Sequence, residues 1–302
     1  MRRSKYLKRS SDEDFIKSLN TNLLALEEQV SDSSETSIPN LYIFGLPRSG
    51  TTLVTQILCH LLDAAWVTNL MARFWETPVV GMRLSKILDL FCLPLDFQSE
   101  FGVTKGAHQP HEFGYFWMKQ LNYDDVVIMP KEHESKIDWI KLKQKLNAIT
   151  HEAGKTVIYK NMLYAFHLDT FLKYQPNAII IYCKRNLPDI ACSVLRAREA
   201  RYGDKNVWWS IKPPGYKDYM SEDCYTQIAY QLKWFNSYFE EKIAALSQYN
   251  IFEVQYEQLS KDIKKIINTL ARFQKRNMAP ETTPKTYRNK KEYKIFKELL
   301  LK

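Results

Sequence analysis

The chain has few of the features that mark secreted, membrane-spanning or metal-binding proteins. Its five cysteines, among 302 residues, form an odd and scattered set without the C-x-x-C spacing of a zinc site. Such cysteines are typical of buried thiols in a reducing compartment. No run of about 20 apolar residues is present, and no apolar segment follows the basic start of the chain. We therefore expect no metal, no transmembrane segment, no signal peptide and a cytoplasmic location.

Acidic residues are outnumbered by basic residues: the chain has 34 Asp and Glu against 43 Lys and Arg, which gives a net charge of +9. This balance suits an anionic ligand or partner, although charge alone does not separate a nucleotide from a glycan, a membrane surface or a nucleic acid. Hydrophobic content of 45% and charged content of 25% are ordinary for a globular protein. The length allows one large domain with a sizeable core.

One stretch near the N-terminus has the pattern of a phosphate-binding turn. Residues 41–44 form an apolar run that predicts a buried strand, and residues 53–62 predict a helix. Between them, Gly45 and Gly50 have the G-x-x-x-x-G spacing of a P-loop, followed by two hydroxyl side chains. The first N–H groups of a helix have no partner inside it, so this arrangement predicts an anion site.

The loop departs from a nucleoside-triphosphate P-loop at one informative position. Such a loop places Lys directly after its last Gly, whereas this chain has Thr51 there and carries its cation earlier, at Arg48. Two hydroxyls, from Thr51 and Thr52, together with free amides and one Arg can hold an anion. Hydrolysis of ATP or GTP is disfavoured because the Lys that bridges the terminal phosphates is missing.

Further apolar runs alternate with helical patterns along the rest of the chain. Strands are predicted at residues 156–160, 178–183 and 251–254, which favours an α/β domain with a central, mostly parallel sheet flanked by helices. Polar residues follow each predicted strand and should meet at the carboxyl edge of the sheet, where ligands bind; they are Arg48, Lys160, Arg185 and Tyr256. We assign residues 1–37 to an N-terminal helical extension and 38–302 to the domain.

The residues from Gly45 to Thr52 resemble the 5′-phosphosulfate loop of the sulfotransferase family, G-x-P-[KR]-S-G-T-T. The form with Arg, and with Leu after the two threonines, resembles the branch of tyrosylprotein and bacterial sulfotransferases. The resemblance implies a P-loop-like fold and 3′-phosphoadenosine-5′-phosphosulfate (PAPS) as co-substrate, with no metal. The loop residues that it implies in cofactor binding are Gly45, Pro47, Arg48, Ser49, Gly50, Thr51 and Thr52.

Three later positions also match family elements. Arg185 follows a strand and Ser193 lies two turns along the next helix, as in the family's 3′-phosphate motif. An Arg fork supplies parallel charge-assisted hydrogen bonds to a phosphate. Tyr256 belongs to a Tyr-Glu-x-Leu-like element near the cofactor. Lys160 matches the cation that would hold the sulfuryl oxygens, and Arg48 would neutralise the leaving phosphate.

The general base is left open by the resemblance. Two branches place it at positions that hold Met162 and Asn69 in this chain, neither of which is a base. A third, the heparan N-sulfotransferases, has a Glu at a spacing that falls on Glu76. We favour Glu76 and retain His111 and Glu112 as rivals, since all three residue types can accept a proton.

The sequence therefore predicts a sulfotransferase that moves a sulfuryl group from PAPS to a hydroxyl or amine acceptor. The acceptor is open, with a carbohydrate or lipid-linked glycan slightly favoured over a small molecule, and no nucleic-acid partner is expected. One alternative is a P-loop nucleotide kinase. Another is a non-catalytic protein that binds a nucleotide or another anion.

Overall fold

A five-stranded, wholly parallel sheet organises the structure, a computed structural model that describes residues 3–270 and 289–300. The strand order is β2-β3-β1-β4-β5. The strands are β1 (Leu41–Gly45), β2 (Ala65–Trp66), β3 (Val157–Lys160), β4 (Ile179–Lys184) and β5 (Asn250–Gln255). Parallel strands need crossover connections, and helical segments fill these connections here.

Helices flank the sheet and precede it. In chain order they are α1 (Ser10–Asn22), α2 (Leu24–Val30), α3 (Thr51–Leu61), α4 (Pro78–Ile87), α5 (Gly114–Gln120), α6 (Pro130–Glu134), α7 (Trp139–Ala153), α8 (Leu168–Tyr174), α9 (Leu187–Tyr202), α10 (Cys224–Ala244), α11 (Leu259–Thr269) and α12 (Lys290–Leu300). No helix in the described ranges is long and apolar enough to cross a membrane.

The predicted α/β class and central parallel sheet are confirmed. β1 lies in the middle, and all five of its residues are buried, as expected for a strand covered on both faces. The two-residue edge strand β2 was not predicted, because so short a strand leaves no periodic pattern. Pro78 begins α4, where its missing N–H costs nothing.

Aromatic rings pack the core beside β1 and β3. The rings of Tyr42 and Tyr159 stack with their centroids 5.1 Å apart, and Trp117 meets Tyr159 edge-on at 5.9 Å. Tyr164 packs against Tyr42 at 5.5 Å. Offset-stacked and edge-on pairs are the favoured arrangements of aromatic rings. This packing fixes β1 and β3, and with them the two loops that leave their carboxyl ends.

The N-terminal helices pack on the segment that contains α4. The Glu27 carboxylate accepts hydrogen bonds from the backbone N–H groups of Val79 and Val80, both at 3.0 Å, and so caps the start of α4. Asn20 donates to the carbonyl of Arg73 at 2.7 Å and accepts from the backbone N–H of Glu76 at 2.9 Å. The assignment of residues 1–37 to a separate extension stays a prediction.

Candidate functional site

The turn after β1 brings main chain and side chain unusually close together. A Cβ at Gly45 would lie 2.3 Å from the carbonyl oxygen of Cys183 on β4 and 2.6 Å from Oγ of Ser49. Only Gly fits this position. The Ser49 hydroxyl is fully buried and has no hydrogen-bond partner among the described residues. A buried polar atom without a partner in the loop fits a ligand that accepts or donates there.

Gly50 ends the turn and is required for two reasons. Its φ angle is +100°, a conformation that L side chains rarely adopt, and α3 begins at the next residue, Thr51. A Cβ at Gly50 would lie 2.4 Å from the ring of Tyr256. The loop therefore rests on the Tyr256 ring and directs the first N–H groups of α3 to the carboxyl edge of the sheet.

Arg48 joins this loop to the start of α9. Its Nε donates to Oγ of Ser193 at 3.0 Å, and its carbonyl oxygen accepts from the Arg185 guanidinium at 3.0 Å. Burial lowers the pKa of Arg48 to about 10, with the nearby charge of Arg185 acting in the same direction. The side chain is still a cation at neutral pH. Two neighbouring guanidinium groups and a buried hydroxyl form a strongly positive site, which favours an anionic ligand.

The Tyr256 ring packs against this positive site. The Arg185 guanidinium lies over the Tyr256 ring, 4.3 Å from its centroid, in a cation–π contact. The same ring contacts Gly50, so one side chain positions the turn after β1 and the Arg after β4. The structure brings together the four polar residues that were predicted to follow strands, at the carboxyl edge of the sheet.

Lys160 is a buried cation at the end of β3. Only 3% of its side chain is exposed, and its Nζ donates to Oγ1 of Thr52 at 3.0 Å. Its Nζ also pairs with Oε1 of Glu112 at 3.0 Å. The Glu112 side chain is 58% exposed, so the ion pair lies at the boundary between the buried cation and solvent. A cation and a carboxylate thus stand together beside the start of α3.

The Glu112 carboxylate is held in its ionised form. Desolvation alone would raise its pKa, but the charge and hydrogen bond of Lys160 outweigh this and leave the pKa below its usual value. The side chain of Asn161 donates to the backbone carbonyl of Glu112 at 2.9 Å, and the backbone N–H of Asn161 donates to Ile43 on β1 at 3.1 Å. The loop that carries Glu112 is therefore tied to the sheet.

His111, next to Glu112, is held neutral. Its Nδ1 accepts a hydrogen bond from the backbone N–H of Phe113 at 2.9 Å, which requires that nitrogen to be unprotonated. Desolvation by the surrounding chain lowers the pKa of His111 to about 4; Glu112 opposes this, and Lys160 and Arg73 add to it.

Glu76 lies in a different setting from its two rivals. Its carboxylate pairs with Lys119 of α5 at 2.6 Å, and its backbone N–H donates to Asn20 of α1. The contacts that the structure gives for Glu76 involve α1 and α5 and do not include Arg48 or Lys160. The structure thus brings Glu112 into direct contact with the predicted sulfuryl-binding cation and puts Glu76 beside the N-terminal helix.

Two contributions to the site were missed in the sequence. Phe101 and Gly102 lie over the loop after β1: the Arg48 guanidinium is 5.4 Å from the Phe101 ring centroid, and a Cβ at Gly102 would lie 3.6 Å from Oε1 of Glu112. Residues 97–106 lack periodicity, and only their irregular character could be anticipated. Glu100 in this segment accepts hydrogen bonds from Lys5 at 2.8 Å and Tyr6 at 2.7 Å, so the N-terminal segment holds it in place.

The acidic, histidine and cysteine side chains can be searched for metal-binding groups and disulfides. No group of three or more His, Cys, Asp or Glu residues that could hold a metal occurs within residues 3–270 and 289–300. All five cysteines are free thiols, and four of them are buried. Of the basic residues near the C-terminus, Lys285 and Arg288 lie outside the described residues, and Lys290 and Lys291 begin α12.

The assembled geometry is a parallel sheet with a Gly-bounded anion loop, paired Arg residues and a buried Lys at its carboxyl edge. A family model described as the sulfotransferase family matches residues 39–280 of this sequence. Since the match spans most of the chain, the protein belongs to the sulfotransferase family. The reaction class is therefore sulfuryl transfer, and the resemblance identified in the loop after β1 is confirmed.

Solved structures of bacterial sulfotransferases share the fold. Sulfotransferase STF1 from Mycobacterium tuberculosis H37Rv aligns with a TM-score of 0.50 and 16% identity, over 85% of this chain and 71% of that chain. Sulfotransferase STF9 from Mycobacterium avium aligns with a TM-score of 0.50 and 13% identity, over 95% of this chain and 76% of that chain. Comparison with curated proteins finds no match. At these identities the likeness establishes the fold alone and does not identify the sulfuryl donor or the acceptor.

Proposed function

We propose that this sulfotransferase uses PAPS as donor and transfers its sulfuryl group to a hydroxyl or amine acceptor. The observation that carries the proposal is the contact between two predicted anion sites. Nε of Arg48, in the loop after β1, donates a hydrogen bond to Oγ of Ser193 on α9, and the Arg48 carbonyl oxygen accepts one from Arg185. A nucleotide with phosphate on both its 5′ and 3′ positions matches two adjacent cationic sites. A nucleoside triphosphate, with its charge in one chain of phosphates, matches them less well.

Each residue then has a defined role. The first N–H groups of α3, with Thr51 and Thr52, would bind the 5′-phosphate, and Arg185 with Ser193 would bind the 3′-phosphate. The donor supplies an activated sulfuryl group attached to the 5′-phosphate. Arg48 would balance the charge that appears on the leaving phosphate oxygen when the S–O bond breaks. Lys160 would hold the sulfuryl oxygens through the same transition state, in which positioning and electrostatics dominate catalysis.

The acceptor must lose a proton as its oxygen or nitrogen bonds to sulfur. Glu112 is our candidate for the base that takes this proton, because its carboxylate adjoins Lys160 at 3.0 Å and is partly exposed to an incoming acceptor. An anion held by Lys160 would compete with Glu112 for the ammonium group. The carboxylate would then become more basic, since the pairing that lowers its pKa would be weakened. Glu76 and His111 remain the rival candidates.

The proposal for location follows the chemistry of the thiols. We expect the protein to act in the cytoplasm, where four buried free cysteines and one exposed cysteine stay reduced.

Ligand-induced stabilisation tests the donor directly. Thermal unfolding should be compared with 3′-phosphoadenosine-5′-phosphate, with AMP, and with ATP plus Mg²⁺. A ligand at a hundred times its dissociation constant raises the free energy of unfolding by about 2.7 kcal/mol. A shift with the bisphosphate well above that with AMP supports the proposal. A shift with ATP and Mg²⁺ alone would favour a kinase, and bisphosphate binding without transfer to any acceptor would favour a non-catalytic binder.

A further inference from the structure

A tight turn with Phe101 at its tip lies against the proposed donor site. The backbone N–H of Glu100 donates to the carbonyl of Val103 at 2.9 Å, and that of Val103 donates to the carbonyl of Glu100 at 3.0 Å. We call residues 100–103 the tip turn. The Arg48 guanidinium lies 5.4 Å from the Phe101 ring centroid, within the range of a cation–π contact. The tip turn thus packs an aromatic ring on the Arg that is proposed to meet the leaving phosphate.

Both central residues of the tip turn have unusual backbone conformations. Phe101 has a φ angle of +50° and Gly102 one of +88°, and type I′ turns require positive φ at both positions. Gly adopts such angles readily, whereas a bulky residue does so only where its surroundings fix it. A Cβ at Gly102 would lie 3.6 Å from Oε1 of Glu112 and 3.8 Å from Oγ1 of Thr52. The tip of the turn therefore adjoins the proposed base and the start of α3.

The N-terminal segment holds the base of the tip turn. Hydrogen bonds from Lys5 and Tyr6 lower the pKa of Glu100, so its carboxylate is charged at neutral pH. The Tyr6 hydroxyl donates to Oε1 of Glu100 at 2.7 Å, and a hydrogen bond to a charged acceptor is a strong one. Lys5 donates to the same oxygen at 2.8 Å, but its side chain is 64% exposed, and exposed ion pairs contribute little. The half-buried Tyr6 is therefore the main anchor of Glu100.

Tyr6 is in turn anchored to the end of α9. The backbone N–H of Arg3 donates to the carbonyl of Arg201 at 2.8 Å, and the Arg201 guanidinium lies 5.1 Å from the Tyr6 ring centroid. Arg201 lies in the last turn of α9, the helix that carries Ser193. Its charge also reaches Arg48: burial is the main cause of the lowered pKa of Arg48, and Arg201 acts in the same direction. The N-terminal segment thus connects α9 to the turn that packs on Arg48.

We propose that Tyr6 is a positioning residue of the donor site and acts through Glu100 to keep the Phe101 ring on Arg48. The inference rests on the proposed function, because it takes the 5′-phosphate of the donor as the anion that Arg48 meets. The N–H groups of a guanidinium lie in its plane, so a ring on its face leaves them free to bind a phosphate. A guanidinium fixed in this way loses less freedom on binding, which raises affinity. The N-terminal segment thereby acts on donor binding through two intervening side chains.

Two nucleotides that differ only in the 5′-phosphate test the inference. The Kd of 3′-phosphoadenosine-5′-phosphate should be measured by calorimetric titration, and that of adenosine 3′-phosphate by competition with it. The ratio of the two isolates the contribution of the 5′-phosphate, whereas a general structural defect weakens both nucleotides alike. Phe101→Leu and Tyr6→Phe should each lower this preference for the bisphosphate by about 3–10-fold. Glu100→Gln, whose amide oxygen still accepts from Tyr6, should keep most of the preference that Glu100→Ala loses.

The matched controls are Phe97→Leu and Tyr238→Phe. Phe97 belongs to the same irregular segment and has a similar φ angle of +54°, but its ring meets His60 edge-on with the centroids 5.7 Å apart. The Tyr238 hydroxyl, on α10, donates to the carbonyl of Phe166 at 2.6 Å, so its removal costs a comparable hydrogen bond elsewhere. Both controls should keep the wild-type preference for the bisphosphate.

The double variant Tyr6→Phe/Phe101→Leu shows whether Tyr6 acts through the ring. It should lose no more preference than Phe101→Leu alone, because without the ring Tyr6 has nothing to position. Additive losses, or a wild-type preference in Tyr6→Phe, would overturn the inference while the donor proposal stands. The same conclusion follows if either control loses as much preference as Phe101→Leu. If the bisphosphate fails to bind the wild-type protein, the proposed function itself is wrong, and this inference with it.

Discussion

The Nζ of Lys160 lies 3.0 Å from Oε1 of Glu112 and 3.0 Å from Oγ1 of Thr52. One buried cation therefore joins the end of β3, the start of α3 and the loop before α5. The lysine cannot move far without leaving either the hydroxyl or the carboxylate unpaired, and a buried charge without partners is costly. This arrangement keeps the cation at a fixed point on the carboxyl edge of the sheet.

Removal of the Lys160 charge should slow transfer far more than it weakens donor binding. Lys160→Met should lower kcat about 10²–10³-fold, the usual cost of losing one preorganised electrostatic contact to the transition state. Steady-state kinetics and calorimetric titration of the bisphosphate check the two quantities. Lys155→Met is the matched control, since Lys155 precedes β3 and pairs with Asp63 at the surface. Wild-type kcat in Lys160→Met would contradict the assigned role.

Glu112→Gln should remove the proposed proton acceptor while retaining the size of the side chain. We expect kcat to fall about 10²–10⁴-fold, as for other general bases. In the free enzyme Lys160 holds the pKa of Glu112 low, so the acid limb of wild-type kcat/KM should lie below the ordinary Glu value of about 4.3. Activity is present above that pKa and is lost as pH falls through it. Glu76→Gln and His111→Asn are the parallel variants, and whichever variant loses turnover together with the acid limb identifies the base.

Arg185→Ala should weaken nucleotide binding and abolish selectivity for the 3′-phosphate. Loss of a hydrogen bond to a charged group costs about 1.5–3 kcal/mol, which corresponds to roughly a 10–150-fold higher Kd. Calorimetric titration with 3′-phosphoadenosine-5′-phosphate and with AMP measures both effects. AMP affinity should change little, because AMP lacks the group that Arg185 would bind. Arg83→Ala, which breaks a surface pair with Glu152, serves as control.

Gly50→Ala should destabilise the fold more than Gly154→Ala. Both residues have positive φ angles, which cost an L residue about 1–2 kcal/mol. At Gly154 a Cβ would meet nothing within 4 Å, whereas at Gly50 it would lie 2.4 Å from the Tyr256 ring. Urea unfolding of the two variants isolates the steric part as their difference. Equal free energies of unfolding would show that Tyr256 moves aside without cost.

Glu27→Gln should change how stability depends on pH. Burial raises the pKa of Glu27 above its unfolded value, although two backbone N–H groups oppose this. A raised folded pKa adds stability below the unfolded pKa of about 4.3 and loses it as pH rises through the folded pKa. Wild type should therefore gain stability over Glu27→Gln as pH falls from neutral. Denaturant unfolding at several pH values checks the trend. The opposite slope would mean that the helix cap outweighs burial.

The sequence located the turn after β1 and the residues after β4 more fully than the loop that carries Glu112. Gly45, Arg48 and Gly50 could be placed on one turn because the strand, turn and helix that position them are contiguous. Arg185 and Ser193 could be placed near each other because one strand and one helix fix their separation. The cause in both cases is short-range geometry, which spacing in the sequence records directly.

The contact between Glu112 and Lys160 could not be predicted, because 48 positions and several irregular turns separate the two residues. The contact of Phe101 with Arg48, through a segment without periodicity, could not be predicted either. Nor could the hydrogen bond from Lys5 to Glu100. Such contacts depend on how loops fold over the sheet. Amphipathic pattern and turn chemistry say little about that, so the sequence favoured Glu76 and kept Glu112 only as a rival.

The stacked tyrosines beside β1 give the core a built-in optical reporter. Burial raises the pKa values of Tyr42, Tyr159 and Tyr164 well above the usual phenol value. Their phenolate absorbance should not appear during alkaline titration until the sheet itself opens. A late, cooperative step in the ultraviolet spectrum would then mark loss of strands β1 and β3, without any label or added dye.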